Sequence, residues 1–537
     1  MELGPPGLSR FRKLWLYLLL FALLDFFLPV NRAVSAEGPP TFTIRSFAVE
    51  GNTLLTEKTI RDALKDYKGP NKTAQDVEKA RSALEKLYHD RGYPAVLVNI
   101  PEQTVEWGKI RLQVIESRIG NVRVTGNRYF TAEMIMGQLP SLAPGQIIYV
   151  PRVQKELEQL NRGEDLKVSP VLSPGMEPGT TDVELKVVDR LPLHGSLEIN
   201  NRNTLNTSDL RLNGMLRYDN LWQMDHSVSA QFQTSPEDTG QVKLYALSYT
   251  LPAPWAVDHQ IALYGIRSDS STVGFGEGLL INGKGSILGM RYVIPLAPYG
   301  AYAHNITLGL DYKDFEDTTG FFAGGGYATP VKYLPLSFSY SSSLADSWGS
   351  TKWSSVLNMV MRGLVTEEEQ FQIARYQARG DYLYLTAGME RSQKLPGGMA
   401  MYLKVDGQIA VQPLITHEQY IAGGMANVRG YREASALGDD ALHGTGEISA
   451  PDIWALLGLG GRVTCTPYLF YDFAWLETLN PLPSQIETTR LQGTGAGMRG
   501  GFYKNFYYEV DVAFPVASQS QTDVYREKVH FKVGVQF

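Results

Sequence analysis

Gly423-Gly424-Met425-Ala426-Asn427-Val428-Arg429-Gly430-Tyr431 sets one guanidinium in a glycine-rich segment, within a long loop between two strands of alternating polarity. Glycine permits turns and close backbone approach, and arginine presents a planar five-donor fork suited to a carboxylate. Asp472, in Phe470-Tyr471-Asp472-Phe473-Ala474, is the best candidate partner. If the loop folds back inside a barrel lumen, an Arg429–Asp472 pair is a desolvated lock, and removing one side of such a pair costs roughly 3–5 kcal/mol. The competing reading is a solvated surface arginine.

Other motifs that could carry chemistry fail on their own terms. Gly278 to Gly285 nearly spells a phosphate-binding loop, but Gly285 stands where a magnesium-binding hydroxyl is needed. Gly493-Thr494-Gly495-Ala496-Gly497 lacks the helix that follows in a dinucleotide fold, and glycines relieving crowding in a strand account for it better. The chain has neither a Gly-x-Ser-x-Gly elbow nor a His-Glu-x-x-His pair, and its eight histidines are dispersed. The expectation is therefore no catalytic residue, no cofactor and no metal. A single cysteine, Cys465, excludes an intramolecular disulfide and suits a packing role on the apolar face of a strand.

A net charge of −6 argues against nucleic acid as a partner, which calls for a basic face. Near the N-terminus, Arg10, Arg12 and Lys13 precede an apolar run from Leu14 to Val30, and Val34-Ser35-Ala36 follows. This is the pattern of a signal peptide over residues 1–36, cleaved after Ala36. Downstream, no stretch approaches the roughly 18 uninterrupted apolar residues of a spanning helix, so an exported chain is either soluble or crosses a membrane as strands.

Between Phe42 and Glu116 the pattern reads strand, helix, helix, strand, strand. Thr56 is placed to cap a helix over Glu57 to Tyr67. Thr73 starts a second to about Arg91, where Val77, Ala80, Leu84, Leu87 and Tyr88 recur at helical spacing. Gly51-Asn52 with Thr56, Ile60 and Leu64 recurs 75 residues on as Gly126-Asn127 with Thr131, Ile135 and Leu139. Two copies of one α+β module thus stand in tandem, over 37–117 and 118–190.

From residue 191 to 537, ten-residue segments of period two alternate with turns. Val529, Phe531, Val533, Val535 and Phe537 alternate with polar residues, as do Val228, Ala230 and Phe232. The second face carries charges in strand after strand, which suits a water-filled lumen and not a sandwich interior. At about 21 residues per strand and turn, the length fits roughly sixteen antiparallel transmembrane strands. Counting back from Phe537 makes 412–442 the sixth loop on the far side and puts Asp472 on the inward face of the thirteenth strand.

The first module, through Tyr88-His89-Asp90-Arg91-Gly92-Tyr93, Ile100-Pro101-Glu102-Gln103, Gly108, Leu112, Val114 and Glu116, resembles the ShlB-type POTRA domain. Val428-Arg429-Gly430-Tyr431 and Phe470-Tyr471-Asp472 resemble the paired loop and barrel-wall motifs of two-partner-secretion transporters (TpsB; FhaC/ShlB/HecB type), in the superfamily that includes BamA. Ala474 stands where that motif usually has glycine, and the final Phe537 resembles a barrel assembly signal. The resemblance implies tandem POTRA domains before a 16-stranded barrel in the outer membrane of a Gram-negative bacterium. It implies periplasmic capture of an unfolded, exported client by strand addition and passage through the pore. The implied partners are a TpsA-like, β-helical exoprotein, outer-membrane lipid and the barrel assembly machinery. A BamA-like assembly factor and a passive diffusion porin are the alternatives. The few residues between Ala36 and the first strand leave no room for the pore-plugging helix of some members.

Overall fold

The computed structural model describes residues 40–537, apart from 206, 257, 270–271, 276–278, 283, 322–324, 362, 365–366, 459 and 518–525. The signal peptide expected over 1–36, and part of the Gly278 to Gly285 loop, lie outside the described residues. Two compact units result, one running up to Gly126 with Met136–Gly163 and Lys167–Val187, the other comprising Asn127–Ile135, Glu164–Leu166 and Val188–Phe537.

In the first α+β module, Lys109–Glu116 lies centrally, parallel to Ser46–Glu50 and antiparallel to Val96–Asn99. Helices Glu57–Leu64 and Ala74–Asp90 cover one face, burying Ile60, Leu64, Val77, Leu84 and Tyr88 against Ile110, Leu112 and Val114. Thr56 caps the first helix by accepting from the Thr59 N–H, and Thr73 and Asp76 form a capping box on the second. The next module orders its strands the same way, with Thr180–Asp189 between Arg118–Thr125 and Leu166–Pro174.

The Gly-Asn repeat has one physical reason in both copies. Gly51 and Gly126 adopt φ of +83° and +87°, and a Cβ there would stand 2.3 and 2.5 Å from the carbonyl oxygens of Val114 and Val187. The following asparagine then ties the turn, Asn52 donating to the Leu55 carbonyl at 2.8 Å and Asn127 to that of Phe130 at 2.9 Å.

Sixteen antiparallel strands close the barrel, from Leu193–Asn200 to Lys528–Gln536. The eighth is broken at Leu334 into Gly325–Tyr333 and Pro335–Asp346, both paired to the long seventh strand, Tyr302–Phe321. Pro335 has no N–H to give the ladder, which explains the break. Leu247, Leu263, Leu288, Leu308 and Phe338 point outward and are exposed. Their neighbours along each strand are polar or small and face the lumen, the division a barrel in hydrocarbon requires. No described helix is long and apolar enough to cross a membrane.

The end of the barrel away from the outer ends of its first and last strands is filled like a soluble core. Phe315, Tyr333, Tyr382, Tyr384, Leu414 and Ile415 are buried there around Phe371, which comes from a short helix, Glu368–Ala374, between the ninth and tenth strands. The seam between last and first strands is short. It pairs five residues, Lys532↔Asn200 to Gln536↔Ser196, where the thirteenth and fourteenth strands pair fifteen. Phe537 extends it by exchanging backbone bonds with Gly195 at 3.0 and 3.2 Å, and a Cβ on Gly195 would lie 2.5 Å from the Phe537 ring. Gly195→Val is therefore expected to destabilise closure by about 1–3 kcal/mol of overpacking, seen as loss of the heat-modifiable folded band on semi-native gels.

Candidate functional site

The loop 411–439, between the eleventh strand (Ala400–Ala410) and the twelfth (Asp440–Ser449), turns back into the lumen. Its tip is shaped by Asn427, whose Oδ1 accepts from the N–H groups of Gly423 and Val428 at 2.8 and 2.6 Å, and whose Nδ2 donates to the Ile421 carbonyl at 3.0 Å. Gly430 holds φ of +96°, and a Cβ on it would approach the Pro515 nitrogen to 2.9 Å. Arg429 is thereby pressed against the wall, with 3% of its surface exposed.

The guanidinium meets two carboxylates. Nε and Nη2 donate to Oδ2 and Oδ1 of Asp472 at 2.7 and 2.8 Å, and the Arg429 N–H adds a third bond to Oδ2 at 3.1 Å. Nη1 donates to Glu447 Oε1 at 2.7 Å, a partner the sequence reading did not include. Asp472 is fully buried on the thirteenth strand (Val463–Glu477). The Phe470 ring lies 3.6 Å beneath the guanidinium, a close cation–π contact. Burial opposes the arginine's charge, but Asp472, then Glu447 and Asp511, outweigh it and hold the group more firmly protonated than a free arginine.

The fourteenth strand (Thr488–Phe502) explains the tight fit. A Cβ on Gly493 would stand 1.9 Å from the Arg429 carbonyl oxygen. The neighbouring residues finish the seat: Gly430 N–H donates to His530 Nε2 at 3.1 Å, and the Tyr431 hydroxyl donates to the Gln492 and Ala517 carbonyls at 3.1 and 2.6 Å. Val428 and Tyr431 are buried beside Ala474 and Leu491, so the methyl of Ala474 is part of the packing. Phe537 is not at this site; it lies on the seam.

Residues 42–117 match the POTRA domain of ShlB type, and residues 359–500 match the haemolysin secretion/activation protein family ShlB/FhaC/HecB. Both matches are to domains of the TpsB type of transporter. It is 25% identical over 210 residues to the outer membrane transporter CdiB of Dickeya dadantii, a stretch covering 38% of this chain and 37% of that protein. It is 18% identical over 467 residues to the heme/hemopexin transporter protein HuxB of Haemophilus influenzae, covering 84% and 80%. The solved structure of CdiB from Escherichia coli shares its fold, with a TM-score of 0.65 at 19% identity over 99% of this chain and 100% of that one.

In this chain the loop is pinned at two further points that sequence reasoning missed. Glu418, on the way in, accepts from Lys313 at 2.6 Å, Tyr333 at 2.5 Å and Tyr384 at 2.7 Å. Burial works against its ionisation, and Lys313 with the two hydroxyls outweighs that, keeping its carboxyl below the usual range. Asp439, at the exit and fully buried, takes a bidentate pair from Arg375 at 2.5 and 2.6 Å and the N–H groups of Leu414 and Leu479. The loops that follow the ninth, eleventh and thirteenth strands are thus fastened to one carboxylate. Glu447 had a usable signal, since it is an acid on an inward-facing position of the strand next to Asp472. Arg375 and Asp439 sit in irregular segments with no period to mark them.

These groups hold a loop. Asp165, His194 and Asp219 come together as possible metal ligands among the described residues, but Arg190 and Arg217 bond the two carboxylates at 2.6 and 3.1 Å, matching the charge without a cation.

Arg429→Ala leaves the buried Asp472 without its cation and takes one of two arginines from Glu447, a local cost of about 3–5 kcal/mol, and is expected to free the loop and raise resting conductance in planar bilayers. Gly493→Ala should do the same with every charge in place, and Arg429→Lys should have a smaller effect because the planar fork is lost but the charge remains. Arg375→Ala orphans Asp439 and is expected to make loop 411–439 sensitive to protease added outside intact cells, without loss of the folded barrel.

Proposed function

We propose that this protein secretes an unfolded exported partner through its barrel, with residues 37–117 and 118–190 acting as periplasmic capture domains and 191–537 as the outer-membrane pore. The client is a secreted exoprotein of TpsA type, folding as a β-helix outside, and its folding supplies the drive. Capture proceeds by addition of an extended client strand to a module sheet edge. Residues 1–36 direct export, Phe537 serves as the assembly signal read by the barrel assembly machinery, and the outward apolar belt contacts outer-membrane lipid. Val428, Arg429, Gly430 and Tyr431 with Phe470 and Asp472 keep the resting pore closed. No step uses a catalytic residue, cofactor or metal.

One observation carries this reading above a passive porin: the lumen holds the chain's own loop, fastened by a buried Arg429–Asp472–Glu447 cluster. A diffusion pore has no use for a plug bound so firmly. Deletion of Phe42 to Val188, tested by export of the client exoprotein, is expected to leave a heat-modifiable barrel in the membrane and abolish secretion. Unimpaired secretion would overturn capture, and a general defect in outer-membrane protein assembly would favour the assembly-factor reading.

A further inference from the structure

Seven turns join the strands at the end where the first strand begins, and most are short. Residues 450–462, between the twelfth and thirteenth strands, form the longest of them. This turn contains a single helical turn, Ile453–Leu456, started by Asp452, whose carboxylate accepts from the Trp454 N–H at 3.1 Å. The same carboxylate accepts from the Cys465 N–H at 2.9 Å, folding the helix back onto the start of the thirteenth strand. The N–H groups of Leu456, Leu457 and Gly458 donate to carbonyls inside the turn, and that of Ala450 to Pro467.

Backbone and side chains therefore point to the same surroundings. The N–H groups of Trp454, Leu456, Leu457 and Gly458 are bonded within the turn, which lowers the cost of entering hydrocarbon. The side chains that project are apolar: Leu456 and Leu457 are 70% and 64% exposed. The patch does not stand alone. It continues from the lipid-facing belt of the same two strands, where Ile448 and Leu469 are exposed, and it meets the end of the fourteenth strand at Phe502 and the turn after it, where the Tyr503 N–H donates to the Arg462 carbonyl at 2.6 Å. Arg462 lies over the Tyr503 ring at 6.0 Å and, with exposed Lys504, places cations beside the aromatics, the arrangement of a membrane boundary.

We propose that the turn 451–458 is a membrane foot, with Leu456 and Leu457 seated in the acyl chains of phospholipid in the periplasmic leaflet and Arg462 and Lys504 at its phosphates. This rests on the reading of the chain as an outer-membrane barrel whose first strand begins at the periplasm. The foot stands under the two strands that bear Glu447 and Asp472, so it fixes the height of the wall to which the loop is locked.

The test uses the full-length protein in vesicles of phosphatidylethanolamine and phosphatidylglycerol, in a Cys465→Ser background, with a nitroxide on one introduced cysteine at a time and folding checked by heat modifiability. Leu457→Cys is the probe and Leu456→Cys a second, independent one. Leu469→Cys reports the belt, and exposed Asp238→Cys reports water. The expected result is an oxygen-to-nickel-chelate accessibility ratio at 457 and 456 close to that at 469 and many-fold above that at 238. If both foot positions match 238 while 469 stays lipid-exposed, the foot is wrong and the barrel reading stands. If 469 also matches 238, the membrane reading fails and the foot with it.

Discussion

A guanidinium removed from water inside a pore is the constraint around which this structure is arranged. Arg429 is stable there because two carboxylates from adjacent strands and an aromatic face replace its hydration. Meeting that demand determines much else nearby. The fourteenth strand has glycine at 493 because the loop's carbonyl occupies the space of a side chain, and Gly495 and Gly497 leave room likewise for Phe470 and Tyr468. Asp472 spends both oxygens and three contacts on one residue, so Glu447 has to accept the remaining arm, and Glu447 in turn is shared with Arg499 at 2.9 Å. A buried pair of this kind contributes less to net stability than to a single defined geometry, since any other loop position leaves charge unpaired.

The loop's other two fastenings work on a different principle. Around Glu418 the donors are one ammonium and two tyrosines set in an apolar cluster, and around Asp439 they are a bidentate arginine and backbone N–H groups. The tip is thus held by the wall, whereas the exit is held by neighbouring loops. The two can be released separately, because no residue is common to both sets.

Much of this was legible where the pattern is periodic. Alternation along Val463 to Glu477 gives the inward side of Asp472 without knowledge of any other strand, and the length of the region 191–537 divided by the roughly 21 residues of a strand and turn gives sixteen. The repeat of Gly-Asn was visible because an equivalent carbonyl crowds each glycine, that of Val114 at Gly51 and that of Val187 at Gly126. The structure adds what has no period. The helix Glu368–Ala374 is too short to register against a background of strands, and Arg375 at its end finds Asp439 only through three-dimensional folding. Glu447 escaped for another reason: one arginine was matched with one acid, although its five donors exceed what a single carboxylate can accept. The run Gly493 to Gly497 was read as relief of crowding within the strand, and at Gly493 the crowding agent is a loop lying more than sixty residues earlier in the chain.

The spacing of the lock's partners along the chain bears on how a plug comes to be inside a closed cylinder. Arg429 lies 18 residues from Glu447 and 43 from Asp472, and Gly430 lies 100 from His530. The seam joins residues far more distant, Asn201 with Val529 across 328. Short loops close at lower entropic cost than long ones, so the C-terminal strands and their loop can come together as one curved sheet first. The remaining strands then wrap round a tip already in place. Threading a finished pore, which polypeptides rarely do, is never required. The contacts of Glu433 with Arg202, 231 residues away, and with Asn203 and Thr204 wait for the first strand to arrive.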